Sequence, residues 1–321
     1  MYKLQSGAIL PLCGLGTFKS KGQDCTEACI AALQAGYTLI DTARVYRNEV
    51  EVGVALKQSG ISRDKVFITT KIPPTEQGES AAYDAVHSSL ANLGVLYIDL
   101  ILIHWPGKAK TPLDSNLNAE ARRGTWRALI RAKREGKVRD IGVSNFTISH
   151  LQDPCFQHPK LEPDESFCAL PAVNQIECHP LCLQSELRAF CADQGIVVQA
   201  YSSLCCGDES VYNHPAMQAL LASMKMDSDG LVSTPQQLLL VWGLQQRLPV
   251  IPKSKSALRI SENRQFMLRV LKSMSLTELG DTLDGSALLD SHILPVVEAS
   301  SLAELRGDAD RHLCWDARKV L

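Results

Sequence analysis

Short apolar runs alternate with segments of helical period along most of this chain. The runs at 12–17, 38–42, 66–71, 98–104, 138–144, 172–177, 196–202 and 249–253 are rich in β-formers and lack a helical repeat. Strands buried on both faces read this way. Amphipathic segments fill the intervals at 25–35, 49–59, 80–93, 120–135, 185–194 and 235–246. Thr234-Pro235 places a proline at the first turn of the last of these, where its missing N–H does no harm. Glycines 36, 60, 136 and 195 each follow a helical pattern and suit a left-handed stop.

Eight such strands alternating with helices predict an α/β fold, a closed (β/α)8 TIM barrel with long loops. A doubly wound sheet would need a glycine fingerprint after its first strand. Gly14-Leu-Gly16-Thr-Phe supplies two glycines, and Gly22 comes too late to be the third. No linker, low-complexity tract or close repeat divides the chain, so residues 1–321 are expected to form one barrel domain. Residues 265–321 carry no strong period and are expected to pack as a tail across one end. The connection 203–233 is long enough to be a lid or an irregular surface loop.

Composition narrows the function classes. Of 321 residues 45% are apolar and 21% charged, and the net charge is −2. No overall field recruits nucleic acid or an anionic membrane. The first residues lack a cationic stretch ahead of a long apolar one, and no apolar run is long enough to span a bilayer, so neither signal peptide nor membrane anchor is expected. The 11 cysteines are an odd number, scattered without framework spacing. They fit a reduced, cytoplasmic setting. Cys178-His179-Pro-Leu-Cys182 lacks a second ligand pair, so no metal is expected there. Cys205-Cys206 lies in a polar loop, and the sequence leaves its redox behaviour open. Arg123, Arg127, Arg131 and Arg134 recur at helical spacing and read as a solvated outer face.

Candidate chemistry gathers at strand ends. Asp41 and Tyr46 follow the run ending at Ile40, Lys71 closes the third run and His104 the fourth. Parallel strands in a barrel would bring all four to one rim. Each has an ordinary reading: a turn-capping Asp, a packing Tyr, a solvent-reaching Lys, a core His. Together they are the set needed to hand a proton to a carbonyl oxygen as a hydride reaches carbon. Lys71 would stabilise the phenolate of Tyr46 and lower its pKa, Asp41 would keep Lys71 charged, and His104 would orient the carbonyl.

The motif Asp41-x-Ala43-x-x-Tyr46-x-Asn48-Glu49, with Thr70-Lys71 and Ile103-His104-Trp105-Pro106, resembles the aldo-keto reductases. So do Gly142-Val-Ser144-Asn145-Phe146, Asn174-Gln175-Ile-Glu177-Cys-His179-Pro180, Ala200-Tyr201-Ser202 and Ile251-Pro252-Lys253-Ser254-x4-Arg259-Ile260-x-Glu262-Asn263. The resemblance covers about residues 5 to 263 in the family's order. It implies NADPH-dependent reduction of aldehydes and ketones, with Tyr46 as the acid and Asp41, Lys71 and His104 completing a tetrad. Ser144, Asn145 and Gln175 offer the donor–acceptor pairs that a nicotinamide carboxamide needs, and Tyr201 can stack on its ring. Ser202 falls in the same group. Lys253, Ser254 and Arg259 suit a phosphate, which the resemblance implies is the adenosine 2′-phosphate, and it implies Glu262 and Asn263 as contacts to the adenine. Phe18 and Trp105 would line the substrate pocket, and the loops at 107–119 and 203–233 would set selectivity.

The resemblance weakens after Asn263, although His312-Leu-Cys314-Trp315-Asp316 looks like a displaced C-terminal signature. It implies a monomer whose partner is a small-molecule carbonyl compound. Two rivals remain: a catalytically idle nucleotide-binding barrel serving as a regulatory or structural subunit, and a barrel enzyme using Lys71 as a Schiff-base amine.

Overall fold

The structure, a computed structural model, describes residues 1–157, 169–227, 231–274, 297, 303–306, 310–314, 317, 318 and 320. A short antiparallel hairpin opens it, β1 (Tyr2–Lys3) with β2 (Ile9–Leu10). The seven strands β3 (Leu15–Gly16), β4 (Leu39–Asp41), β5 (Phe67–Ile72), β6 (Ile98–Ile103), β7 (Val138–Ser144), β8 (Val173–Glu177) and β9 (Val197–Tyr201) then pair in chain order. Every pairing among them is parallel.

The segment expected as an eighth strand closes the circle by isolated bridges. Val250 bridges Cys13 on one side and Ala200 on the other, and Lys253 bridges Gly16. Pro249 and Pro252 have no N–H to donate, so a continuous ladder cannot form there. The expected barrel is present, with its last stave reduced to these contacts.

Helices α1 (Gly22–Gln34), α2 (Glu49–Ser59), α3 (Glu79–Leu93), α4 (Leu117–Arg134), α5 (Ile148–Leu151) and α6 (Ser185–Asp193) lie between the strands. After β9 come α7 (Glu209–Tyr212), α8 (Pro215–Asp227), α9 (Pro235–Gln245), α10 (Ala257–Ser273) and α11 (Ala303–Arg306). The four glycines expected at helix stops all adopt positive φ. At α9 the expected proline start is joined by a capping box between Thr234 and Gln237.

Among the described residues seven regular elements were not anticipated: the two hairpin strands, α8, α10 and the four-residue helices α5, α7 and α11. The hairpin strands have two residues each, too short for a period. Helix α8 occupies a connection read as a loop, and its Pro215 start was the available signal. Helix α10 begins where Ser256 caps the backbone N–H of Arg259, and it buries Ile260, Met267, Val270 and Leu271 at helical spacing. Expectations for 275–296 and for Trp315-Asp316 lie outside the described residues.

Two apolar clusters hold the barrel. The larger fills the space between strands and helices, with Ile68, Ile101, Ile103, Ile141, Val143 and Trp126. The smaller lies on the opposite strand faces, inside the barrel: Leu39, Phe67, Leu100, Leu102, Val173 and Ile251, with Leu4 and Leu10 of the hairpin beneath. The hairpin therefore plugs the amino-terminal mouth, and Ser6 anchors it by hydrogen bonding to the Asp140 carboxylate.

Interior volume is tight at Gly142. A Cβ there would meet the Val173 carbonyl oxygen at 2.5 Å and Leu102 Cδ2 at 2.8 Å. Gly142→Ala is expected to lower stability by about 1–3 kcal/mol, the usual penalty of overpacking. Urea unfolding checks this, and an unchanged midpoint would remove the steric argument.

Candidate active site

Strand alternation decides which side chains face the barrel axis. Register sets Asp41 beside Thr69, Lys71 beside Leu102, Leu102 beside Gly142, Ser144 beside Gln175 and Glu177 beside Tyr201. Steps of two from the apolar floor therefore lead to polar residues at the carboxyl-end mouth. Leu39 leads to Asp41, Phe67 to Lys71, Leu100 to His104, Val173 to Gln175, and Ile251 to Lys253. The sheet carries hydrocarbon at its base and ionisable groups at its rim.

Lys71 is fully buried, and its ammonium donates to Asp41 Oδ1 at 2.6 Å and to the Thr42 carbonyl at 2.8 Å. Burial holds its pKa below the usual lysine value, and the Asp41 charge offsets part of that shift. The second Asp41 oxygen accepts from Gln175 Nε2 at 2.7 Å, which also donates to Gln199 Oε1 at 2.7 Å. Asp41 is thus a two-sided anchor joining β4 to β5 and, across the barrel, to β8.

Tyr46 comes from a 3₁₀ turn after β4, Arg44–Tyr46, ended by Arg47 in the left-handed region. Its ring packs on Phe18 with centroids 5.1 Å apart and meets His104 edge-on at 5.7 Å. The Lys71 ammonium lies 5.3 Å from the ring centroid. All four expected tetrad members are therefore brought together.

Their electrostatics differ from expectation in one respect. The Tyr46 phenol is held well above its ordinary pKa, first by loss of water and then by the Asp41 charge. Lys71 was expected to lower it. The ammonium is instead neutralised at 2.6 Å by Asp41, so the phenol faces a near-neutral pair within a desolvated pocket. His104 is pushed down to about 3 by burial and then by the Lys71 charge. It is neutral at physiological pH, one ring nitrogen carrying a proton and the other a lone pair. Its buried Nδ1 has no hydrogen-bond partner among the described residues.

The residues expected to hold a nicotinamide line the same cavity, of about 390 Å³, with Tyr46 and His104. Tyr201 donates to Asn145 Oδ1 at 2.7 Å, and Asn145 Nδ2 donates to the His104 carbonyl at 3.0 Å. Ser144 Oγ donates to the Gln175 carbonyl at 2.7 Å. Asn145 and Ser202 have positive φ, a conformation uncommon outside glycine that gathers at functional sites. A second cavity of about 670 Å³ adjoins the first at Tyr46, His104 and Asn145, and both Phe18 and Trp105 line it.

Lys253 of the cationic cluster also lines the first cavity. Lys253 and Arg259 are exposed, and Ser254 is buried. Partial burial lowers the pKa of Lys253, and the neighbouring charges of Lys255, Arg259 and Lys19 lower it further. Such mutual repulsion is relieved by an anion. Arg259, Glu262 and Asn263 stand at i, i+3 and i+4 on the first turns of α10 and so share one face.

Sequence reasoning missed three site features. Gln199 and the Thr42 carbonyl complete the network under Asp41. Glu177 clamps the tail: its carboxylate accepts from the Leu313 and Cys314 backbone N–H groups at 2.7 and 3.3 Å and contacts His312 Nδ1 at 3.1 Å. His179 Nε2 lies 3.0 Å from the same carboxylate. An acid as the last residue of a fully buried strand was the signal for Glu177. The arginines of α4 are ion-paired as a solvated face would be, Arg123 with Asp153, Arg127 with Glu79 and Arg131 with Glu135.

The aldo/keto reductase profile matches residues 13–283. The chain belongs to the aldo/keto reductase family. Among this family's members, the "Glyoxal reductase" of Bacillus subtilis is 39% identical over 269 residues, covering 81% of this chain and 84% of that protein. The "Glycerol 2-dehydrogenase (NADP(+))" of Saccharomyces cerevisiae is 35% identical over 280 residues, covering 82% and 85%. A crystal structure of an aldo-keto reductase from a Medee basin deep-sea metagenome library has 33% identity and a TM-score of 0.69, covering 90% of this chain and 99% of that one. The barrel expected from strand alternation is the fold of these reductases.

Removing the anion from the buried pair tests the network. Asp41→Asn is expected to destabilise the protein by about 3–5 kcal/mol near neutral pH, because an unpaired buried ammonium remains. A lysine whose folded pKa lies below its unfolded value weakens the fold while both states are protonated. The penalty fades as pH rises through the folded pKa and is gone above the unfolded one. Urea unfolding of the variant should therefore approach the parent protein toward alkaline pH, and a deficit independent of pH would contradict the assignment.

Proposed function

We propose that this chain reduces the carbonyl group of small aldehydes, dicarbonyls or ketones to alcohols with NADPH, Tyr46 donating the proton. The observation that carries this reading is the buried Lys71–Asp41 pair beneath Tyr46 and a neutral His104, at the junction of two cavities. One cavity is lined by amide and hydroxyl groups and leads to a cationic cluster. The other is bordered by aromatic rings. That division suits a dinucleotide on one side and a small carbonyl compound on the other.

The residues fit the cofactor. Lys253, Ser254 and Arg259 would hold a 2′-phosphate, Glu262 and Asn263 an adenine, Ser144, Asn145 and Gln175 a carboxamide, and Tyr201 with Ser202 the nicotinamide end. When bound, NADPH supplies the hydride to the carbonyl carbon. The repulsion among Lys253, Lys255, Arg259 and Lys19 supports a phosphate there, and so does the yeast relative's NADP(+) designation.

Each side chain then has one task. His104, uncharged, donates a hydrogen bond to the carbonyl oxygen and fixes its direction. Tyr46 remains protonated until negative charge grows on that oxygen. An alkoxide is the stronger base, so the phenolic proton moves to it even from a phenol of raised pKa. The Lys71 ammonium then faces a phenolate, and a buried cation stabilises an anion more strongly than it does a neutral ring. Asp41 keeps Lys71 charged and aimed, and Gln175 keeps Asp41 in place.

The rivals lack comparable support. An idle subunit needs no buried cation beside a phenol, and the Bacillus subtilis relative bears the name of a reductase. A Schiff base needs a free, accessible amine, whereas Lys71 is buried and ion-paired. The proposal takes residues 1–321 as one domain acting as a cytoplasmic monomer on small molecules. Among the described residues no helix is long and apolar enough to cross a membrane.

Two substitutions test the assignments. Tyr46→Phe is expected to abolish nearly all NADPH oxidation against an aldehyde panel, followed by absorbance, while cofactor binding persists. Undiminished turnover would move the acid elsewhere. Arg259→Ala is expected to weaken NADPH binding far more than NADH binding, read by fluorescence titration. Equal losses for both cofactors would remove the 2′-phosphate role.

A further inference from the structure

The rim of the first cavity carries two thiols that the carbonyl chemistry does not use. Cys206 lies in the 3₁₀ turn Cys205–Gly207 after β9, and Cys314 lies in the tail. Their sulfur atoms are 3.2 Å apart, and both line the cavity with Tyr46 and His104. Sequence adjacency singled out Cys205 and Cys206, but the fold separates their fates. Cys205 is buried, whereas Cys206 is exposed and faces a residue 108 positions away.

The pair is held, not accidental in placement. Glu177 binds the backbone N–H groups of Leu313 and Cys314 and the His312 ring, which fixes the tail on the rim. Ser202 Oγ lies 3.0 Å from the Cys314 sulfur and 3.4 Å from that of Cys206. Ser202, Cys205 and Cys206 all have positive φ, so the turn that presents Cys206 departs from the backbone its side chains prefer.

We propose that Cys206 and Cys314 are a hydroperoxide-oxidised thiol pair whose disulfide ties the tail to the turn after β9 and closes the cavity rim. A disulfide is about 2.05 Å between sulfurs, so a shift of roughly one ångström joins them. The hydrogen bond between the two sulfur atoms lowers the Cys206 pKa and raises that of Cys314. This makes Cys206 the nucleophile, since the thiolate is the reactive form. Burial drives the thiols of Cys178 and Cys191 the other way, each up to about 12, so those remain inert.

The chemistry balances in two steps. The Cys206 sulfur attacks an oxygen of ROOH, an S–O bond forms as O–O breaks, and the departing RO⁻ leaves as ROH with the Cys206 proton. Cys206 is now a sulfenic acid. The Cys314 sulfur attacks it, S–S forms as S–O breaks, and the hydroxyl leaves as water with the Cys314 proton. Two thiols are oxidised, and one hydroperoxide is reduced to an alcohol and water.

The test treats the full-length protein with a small excess of hydrogen peroxide, then alkylates and digests it without reduction. The expected result is a peptide pair joining Cys206 to Cys314, two fewer titratable thiols, and reversal by dithiothreitol. In Cys314→Ser, oxidation should stop at a dimedone-reactive sulfenic acid on Cys206. In Cys206→Ser, Cys314 should stay reduced. Recovery of alkylated Cys206 after peroxide, or a disulfide to another cysteine, would overturn the proposal. These readouts do not depend on carbonyl reduction and survive its failure. If that activity is present, the oxidised protein should turn over several-fold more slowly, and dithiothreitol should restore it. Each serine variant, compared with its own untreated sample, should lack this response. A disulfide that leaves turnover unchanged would overturn the closing role.

Discussion

A lysine without solvent contact must be paired or give up its proton, and in this barrel the paired solution organises the mouth. Lys71 reaches Asp41 and the Thr42 carbonyl. Asp41 in turn receives Gln175 from the far side of the barrel. One carboxylate therefore links three strands that are distant in the chain. With one partner missing, the other becomes an uncompensated buried charge or polar group, which costs several kcal/mol. The pair is poor evidence for stability compared with hydrocarbon of the same volume. What it achieves is position: a cation held a few ångströms below a phenol, in a place where water cannot screen it.

This arrangement sits on a simple geometrical rule. Side chains alternate along a strand, so the inward row on each strand passes from apolar floor to polar rim in steps of two. Leu39, Phe67, Leu100, Val173 and Ile251 exclude water from below. The hairpin closes the amino-terminal mouth with Leu4 and Leu10. The dry floor is what moves the Lys71 and His104 pKa values down and that of Tyr46 up. Packing at one end of the barrel thus sets protonation at the other. In the proposed reaction a neutral His104 and a protonated Tyr46 are the two donors that a carbonyl oxygen would meet.

The tail adds a second set of contacts at the mouth. Glu177 is an inward rim residue like Gln175, but beside His179 its carboxylate also holds chain beyond residue 311. Its several donors hold it down to about 2 against the opposing effect of burial. The clamp therefore keeps its charge throughout the neutral range, and the same acid fixes the Cys314 backbone. Barrel rim and tail share one hydrogen-bonded frame.

The periodicities, the strand-end positions of Asp41, Lys71 and His104, and the ordered motifs through Asn263 were enough to read the barrel and the members of its candidate site. Those features are local, and alternation, helical period and turn chemistry act over a few residues. The sequence could not reveal that Ser144, Asn145 and Gln175 already bind one another and Asp41, or that Gln199 supports them. Nor could it show that burial and the Asp41 charge leave the phenol of Tyr46 raised. It pointed to Cys205 as the neighbour of Cys206, whereas closure of the barrel and the Glu177 clamp bring in Cys314. Which elements form is settled by short-range geometry written along the chain. Which charges meet, which lose water and which thiols face each other depend on residues far apart in the chain, and those distances exist only once the sheet has closed.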